Sequence, residues 1–215
     1  MKIQVLLVDD HPLVVDGIRA ALRDHPEIEV AGQASSLSEA RQLLSSIDSD
    51  VVLLDLRLPD GSGIDLLQEA RDSVSGPAFL VLSSFLTDEY VSAAIALGAS
   101  GFLLKTSPAD EIVAAIKQTA EGGLAFTFEQ IRASQRAAWA PLTEREHVIL
   151  DGVLRGRSND ELTGDLGVSK KTVEAYLSRL FARYGVMTRT ELAIHVEREQ
   201  LLDLPVTARR TETDR

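Results

Sequence analysis

The sequence contains no cysteine, which excludes a disulfide framework and any thiolate metal site. No apolar run approaches the roughly 18–20 residues that span a bilayer, so no membrane partner is expected. The start, Met1-Lys2-Ile3, leads straight into an apolar strand pattern, so a secretory leader is not expected either. No solenoid-length repeat and no low-complexity tract is present. His11, His25, His147 and His195 have no metal-ligand spacing and read as surface or turn residues. Gly61-Ser62-Gly63 lacks the third glycine of a dinucleotide fingerprint, and neither Ser62 nor Ser100 lies in a G-x-S-x-G elbow. These absences leave a cytoplasmic globular protein as the expectation.

With 215 residues, 45% of them hydrophobic, the chain is long enough for one or two domains with a sizeable core. Its charge is unevenly placed. Residues 1–125 hold 8 Lys+Arg against 19 Asp+Glu, a net of −11, while residues 126–215 hold 14 of each. The acidic part favours cations, and the neutral part could bind DNA only through a local basic patch.

Short apolar runs alternate with helical patterns through residue 121. They predict strands near 3–8, 28–33, 50–55, 78–83 and 100–104, and helices near 12–24, 36–47, 63–72, 87–97 and 107–121. Ser36 with Glu39 predicts a capping box, and Ser107-Pro108 an N-cap followed by proline in the first turn. Gly98 and Gly122 stand where helix C-caps are expected. This alternation predicts an α/β, doubly wound parallel sheet. After Gly122-Gly123 comes a connector with a short helix from Phe128 to Ala138, ending at Pro141. Helices near 143–154, 158–166, 169–184 and 188–201 follow, with capping boxes at Thr143/Glu146 and Ser158/Glu161. The expected divisions are 1–121, a linker over 122–141, a helical domain over 142–204, and a disordered tail over 205–215.

Asp9 and Asp10 end the first apolar run, Asp55 the third, Ser83 the fourth and Lys105 the fifth. Ligands bind at the carboxyl ends of strands in an open α/β sheet, so all five residues fall on one edge. Three carboxylates, a hydroxyl and an ammonium there suit divalent cation binding and phosphoryl transfer to an aspartate. Asp55, before the turn Pro59-Asp60-Gly61-Ser62-Gly63, is the candidate nucleophile. Asp10 and Asp55 would coordinate Mg²⁺, with Asp9 reaching it directly or through water. Lys105 would neutralise phosphoryl oxygens, and Ser83 would donate its hydroxyl to one.

Leu7-Val8-Asp9-Asp10-His11, Leu54-Asp55-Leu56-Arg57-Leu58-Pro59, Val81-Leu82-Ser83-Ser84 and Gly98 to Lys105 resemble the receiver domain of bacterial two-component response regulators. The resemblance spans residues 1–121 and implies a flavodoxin-like (βα)5 fold. It further implies that Asp55 accepts phosphate from a sensor histidine kinase with Mg²⁺, and that the backbone carbonyl of Arg57 is a metal ligand. Phe102 matches the switch aromatic, which turns inward when Ser83 contacts the phosphoryl group; an ordinary core position is the alternative.

In residues 169–184, Val173, Leu177, Leu180 and Tyr184 form an apolar stripe. The opposite face carries Lys170, Lys171, Glu174, Ala175, Ser178, Arg179 and Ala182. A short helix and Gly167-Val168 precede it, which makes either a helix-turn-helix or a generic bundle with a solvated face. Leu142 to Glu146, Gly156 to Leu162, Val168 to Val173 and Tyr184-Gly185-Val186 resemble the LuxR-type helix-turn-helix. With a receiver, this is similar to the NarL/FixJ family of transcriptional regulators. Lys170, Lys171, Thr172, Glu174, Ala175, Ser178, Arg179 and Arg183 are then the expected DNA-facing residues. Arg145 and Arg189 either help or sit in structural ion pairs. Glu174 stands where relatives often carry lysine; it either accepts from a cytosine amino group or weakens binding.

The expectation is a phosphorylation-controlled regulator of transcription that binds promoter DNA, dimerises when phosphorylated, and is not an enzyme beyond its own phosphorylation and slow dephosphorylation. RNA polymerase is a further candidate partner. A haloacid-dehalogenase-type phosphohydrolase is disfavoured, because its second acid would stand at Arg57. A degenerate receiver is disfavoured by the complete set Asp9, Asp10, Asp55, Ser83 and Lys105.

Overall fold

The computed structural model describes residues 2–71, 76–136, 140–204 and 206–207. The chain divides into two compact units, Met1–Trp139 and Ala140–Arg215.

The first unit runs β1 (Ile3–Val8), α1 (Pro12–Leu22), β2 (Ile28–Ala34), α2 (Leu37–Ser46), β3 (Val51–Leu54), the two-residue strands β4 (Arg57–Leu58) and β5 (Gly61–Ser62), α3 (Gly63–Ala70), β6 (Ala78–Ser83), α4 (Asp88–Ala96), β7 (Gly101–Leu104), α5 (Ala109–Ala120) and α6 (Phe128–Arg136). Five strands form a parallel sheet in the order β2-β1-β3-β6-β7. This is the flavodoxin-like order, whose direction reverses between β1 and β3. Val5, Leu7, Val51, Leu53, Leu80, Leu82 and Leu103 share a core cluster with residues of α1 and α5. The alternate residues Leu6, Val8, Val52, Leu54, Val81 and Phe102 are buried too, on the opposite face. Burial on both faces is why these strands read as continuous apolar runs.

Two helix starts differ from expectation. Ser36 Oγ accepts from the Glu39 amide at 3.2 Å, but the Glu39 carboxylate turns back to the amide and hydroxyl of Ser35, at 2.7 and 2.9 Å, so the box is only half closed. At α5, Pro108 itself occupies the N-cap position in an extended conformation, without a side-chain cap. Its ring disfavours helical geometry at Ser107, so the helix begins one residue beyond the proline.

The expected linker is largely docked on the first unit. β7 is a sheet edge, and an edge leaves unpaired N–H and C=O groups. Ala125 covers it: its amide donates to Ser100 O at 2.7 Å, and its carbonyl accepts from Phe102 N at 3.2 Å. Helix α6 then packs against α4. Ala137 and Ala138, expected in that helix, lie outside the described residues.

The second unit contains β8 (Leu142–Thr143), α7 (Glu144–Leu154), α8 (Asn159–Leu166), α9 (Lys170–Tyr184), α10 (Arg189–Glu199), a 3-10 turn (Leu201–Asp203) and β9 (Val206–Thr207). Thr143/Glu146 and Ser158/Glu161 form complete capping boxes. Val153, Leu162, Val173, Leu177, Leu180, Leu192 and Val196 are buried, and Tyr184 is half-buried. The expected disordered tail is ordered at its start, where Val206 and Thr207 pair with Leu142 and Thr143. Pro205 and residues 208–215 of that tail lie outside the described residues.

Candidate functional site

The site is built by the sheet's backbone ladder, which continues past each strand. Asp9 N donates to Ala34 O at 3.0 Å, Asp55 N to Val8 O at 2.8 Å, and Lys105 N to Ser83 O at 2.8 Å. These bonds bring Asp9, Asp55, Ser83 and Lys105 to one edge, and Asp9 and Asp55 flank the β1/β3 reversal. Asp9, Asp55 and Ser83 are buried, whereas Asp10 is exposed.

Lys105 Nζ donates to Asp55 Oδ2 at 2.7 Å, and the Arg57 amide donates to Asp55 Oδ1 at 3.2 Å. Burial nevertheless pushes the Asp55 carboxyl above the usual range, and the Asp9 charge adds to that; Lys105 and the Arg57 amide oppose it. Lys105 Nζ also lies 2.8 Å from Asp9 Oδ2. That oxygen is buried and makes no hydrogen bond, so the contact is electrostatic only. Helix α3 passes directly beneath the aspartate: a Cβ on Gly63 would lie 2.2 Å from Asp55 O, so only glycine fits. The turn between them is anchored by Asp60, which accepts from the amides of Leu37 and Ser38 at 2.7 and 3.0 Å.

Ser83 Oγ accepts from the Phe85 amide at 3.2 Å, which leaves its hydroxyl hydrogen available to donate. Arg57 follows Asp55 in β4, with its guanidinium 5.0 Å from the Phe85 ring centre. Phe102 is buried, and its carbonyl accepts from Gln130 Nε2 of α6 at 3.1 Å.

His11, expected as a surface or turn residue, is exposed at the turn from β1 into α1. Its ring also lies against the carboxylates of the cluster. Its Nδ1 lies 2.7 Å from Asp10 Oδ1 and 3.1 Å from Asp9 Oδ1, and its amide donates to Asp9 Oδ1 at 2.8 Å. Spacing to other histidines is the wrong signal for such a residue. Adjacency to Asp9-Asp10 at a strand end is the sequence signal for its proximity to the carboxylates. Gly63 and Gln130 also went unassigned. Gly63 was visible only as a turn glycine, and Gln130 has no local signal because its partner is 28 residues away.

In the second unit, α8 ends at Gly167 in the left-handed conformation (φ 64°), and Ser169 caps α9 by accepting from the Thr172 amide. Lys170, Lys171, Glu174, Ala175, Ser178 and Arg179 are exposed on α9, as expected. Several are engaged locally. Lys170 pairs with Asp160 at 3.0 Å, the Ser178 hydroxyl donates to Glu174 O at 2.9 Å, and Arg179 lies 4.4 Å from the Tyr176 ring centre. Thr172 is half-buried, with its hydroxyl 2.8 Å from Ser169 Oγ, and Arg183 donates to Ala140 O. Arg145 lies 3.5 Å from Tyr176 Oη. Arg189 donates to Asn159 Oδ1 at 3.1 Å and to Arg157 O, which makes it a staple between α8 and α10 rather than an ion pair.

Two family models match the chain: the response regulator receiver domain over residues 5–117, and the bacterial regulatory proteins of the luxR family over residues 140–196. The chain is 37% identical over 195 residues to the transcriptional regulatory protein MctR of Rhizobium johnstonii, covering 89% of this chain and 91% of that one. It is 34% identical over 210 residues to the transcriptional regulatory protein LiaR of Bacillus subtilis, covering 94% and 100%. A structure of RcsB from Salmonella enterica serovar Typhimurium, bound to a promoter in the presence of phosphomimetic BeF3−, shares the fold with a TM-score of 0.69 and 23% identity, covering 91% of this chain and 98% of that one. Among the described residues, no helix is long and apolar enough to cross a membrane.

Proposed function

Because the chain belongs to the DNA-binding response regulators that join a receiver domain to a LuxR-type helix-turn-helix, we propose that Asp55 is its phosphoacceptor and that phosphorylation controls promoter binding. The observation that carries this reading is a buried carboxylate 2.7 Å from Lys105 Nζ at the sheet's reversal point. A carboxylate oxygen of Asp55 forms the P–O bond as the P–N bond of a sensor kinase phosphohistidine breaks, and the electron pair returns to the donor imidazole. Lys105 neutralises the incoming oxygens, and the Ser83 hydroxyl donates to one of them.

The residues fit a divalent cation. Asp9, Asp10 and Asp55 supply hard oxygen donors, and Asp9 Oδ2 is buried without a hydrogen bond. Asp9, Asp10, Asp55 and the backbone carbonyl of Arg57 would hold Mg²⁺, which when bound neutralises charge on the transferring phosphoryl group. The protein catalyses only its own phosphorylation and slow dephosphorylation. It works in the cytoplasm, with a sensor histidine kinase, double-stranded promoter DNA and RNA polymerase as partners. Phosphorylation moves Ser83 and shifts Phe102, already buried here, within its core site. A receiver dimer is thereby favoured, and two helix-turn-helix units meet half-sites about one helical turn apart. The shift needs only a few kcal/mol of differential stability.

Acetyl phosphate with Mg²⁺ should add one phosphoryl mass to the protein, and Asp55→Asn should abolish the addition. An adduct that persists in the variant would move the nucleophile elsewhere.

A further inference from the structure

His11 has chemistry that the phosphoacceptor reading leaves unused. Its Nδ1 lies 2.7 Å from Asp10 Oδ1, 3.1 Å from Asp9 Oδ1 and 3.9 Å from Asp55 Oδ2, and also 3.3 Å from Lys105 Nζ. A hydrogen on Nδ1 serves the carboxylates but opposes the ammonium. A lone pair on Nδ1 serves the ammonium but opposes the carboxylates. One nitrogen therefore has no arrangement that suits all its neighbours. A cation among the carboxylates would suit it, because lone pair and oxygens would then point at one positive centre.

Position supports this role. His11 is the residue from which α1 starts: its carbonyl accepts from the amides of Val14 and Val15 at 3.1 and 3.2 Å, while its own amide is bonded to Asp9 Oδ1. The imidazole is thus mounted on a helix start joined to a metal-facing carboxylate. Ligand atoms of Asp9, Asp10, His11 and Asp55 all lie within 4.8 Å of one another. That separation is about twice a metal–ligand bond of roughly 2.0–2.6 Å, so the four can share one ion.

We propose that His11 is a nitrogen ligand of the cluster, shifting its preference from Mg²⁺ toward a nitrogen-accepting first-row cation such as Mn²⁺. Oxygen donors suit Mg²⁺ and Mn²⁺ alike, whereas an imidazole nitrogen suits first-row transition metals, of which Mn²⁺ is the weakest binder, so adding one favours even Mn²⁺ over Mg²⁺. The inference rests on the reading of the cluster as a divalent cation site, and its test separates the two.

The full chain is titrated with Mn²⁺ by electron paramagnetic resonance, Mg²⁺ is measured by competition, and pulsed resonance records nitrogen coupling to bound Mn²⁺. The wild type should show coupling to one imidazole nitrogen. His11→Ala should abolish that coupling and weaken Mn²⁺ at least about tenfold, with Mg²⁺ changed less than about twofold. Bound Mn²⁺ without nitrogen coupling in the wild type, or equal losses for both metals in His11→Ala, would overturn the role of His11. Asp10→Asn should weaken both metals. If it leaves Mn²⁺ binding untouched, the cation-site reading itself fails, whatever His11 does.

Discussion

The strand-end cluster and the exposed face of α9 carry similar numbers of charged groups but hold them in opposite ways. At the strand ends, main-chain bonds between neighbouring strands aim buried side chains at one point, and Asp55 is held on both carboxylate oxygens. On α9 the charged groups point outward, and most touch neighbours on their own or an adjacent helix, as Lys170 does with Asp160. The first arrangement has one geometry before any ligand arrives. The second takes its final geometry from the surface it meets. A preorganised site is sensitive to backbone changes beneath it, and a solvated face only to changes of charge.

The sharpest way to break this contrast is at Gly63. Gly63→Ala forces a methyl group onto the Asp55 carbonyl, and backbone there cannot swing aside as a side-chain tip would. The expected cost is about 3 kcal/mol with loss of phosphoryl incorporation, read by chemical denaturation and intact mass. A variant of normal stability that still took up phosphate would show that the edge is not rigid.

Arg189→Ala tests whether any cation of the helical unit is held as firmly. It leaves Arg157 O and Asn159 Oδ1 without this donor, so the helical unit should lose about 1–3 kcal/mol, visible by calorimetry of the full chain. Loss of DNA affinity at unchanged stability would instead place Arg189 on the DNA-facing surface.

Asp55→Asn should raise stability at neutral pH when metal is chelated. Burial raises the folded-state pKa of Asp55 above its unfolded value, so ionisation costs folding free energy. The contribution of this carboxyl is fully present below the unfolded value of about 3.9 and is lost as pH rises through the folded one. The advantage of the variant should therefore shrink on acidification, as urea midpoints across pH would record. A gain independent of pH would assign it to something other than charge burial.

The smallest effects belong to α9. Lys171→Ala should lower the salt slope of DNA binding by about one phosphate. Lys170→Ala should lower it less, because Asp160 already pairs with that ammonium. Glu174→Lys should raise the slope by a similar amount. Equal effects of Lys170→Ala and Lys171→Ala would mean that the Asp160 pair dissolves on DNA.

The contrast also governs how much was legible in the sequence. Runs such as Val51 to Leu54 are buried on both faces, so their period and ends were visible, and Asp55 could be placed from its position after the run. Strand order then assembled Asp9, Asp55, Ser83 and Lys105 without further information. The contact of His11 with Asp9 and Asp10 is not legible, because it depends on where an exposed ring turns after the strand has ended. Arg189 stayed ambiguous because its partners are a carbonyl and an amide about 30 residues away, neither of which leaves a charge pattern. The short helix of the linker is legible, but its docking is not, because Ala125 satisfies the β7 edge, a demand set by the assembled sheet and not by residues 122–136 themselves.

That docking makes the linker a guard on the receiver. Without Ala125, the Phe102 amide and Ser100 carbonyl would stand open along an apolar strand, ready to template another chain. A fragment ended after residue 121 would therefore tend to self-associate through β7. In the intact chain, slow deuterium exchange at the Phe102 amide would report the guard in place, and accelerated exchange its departure.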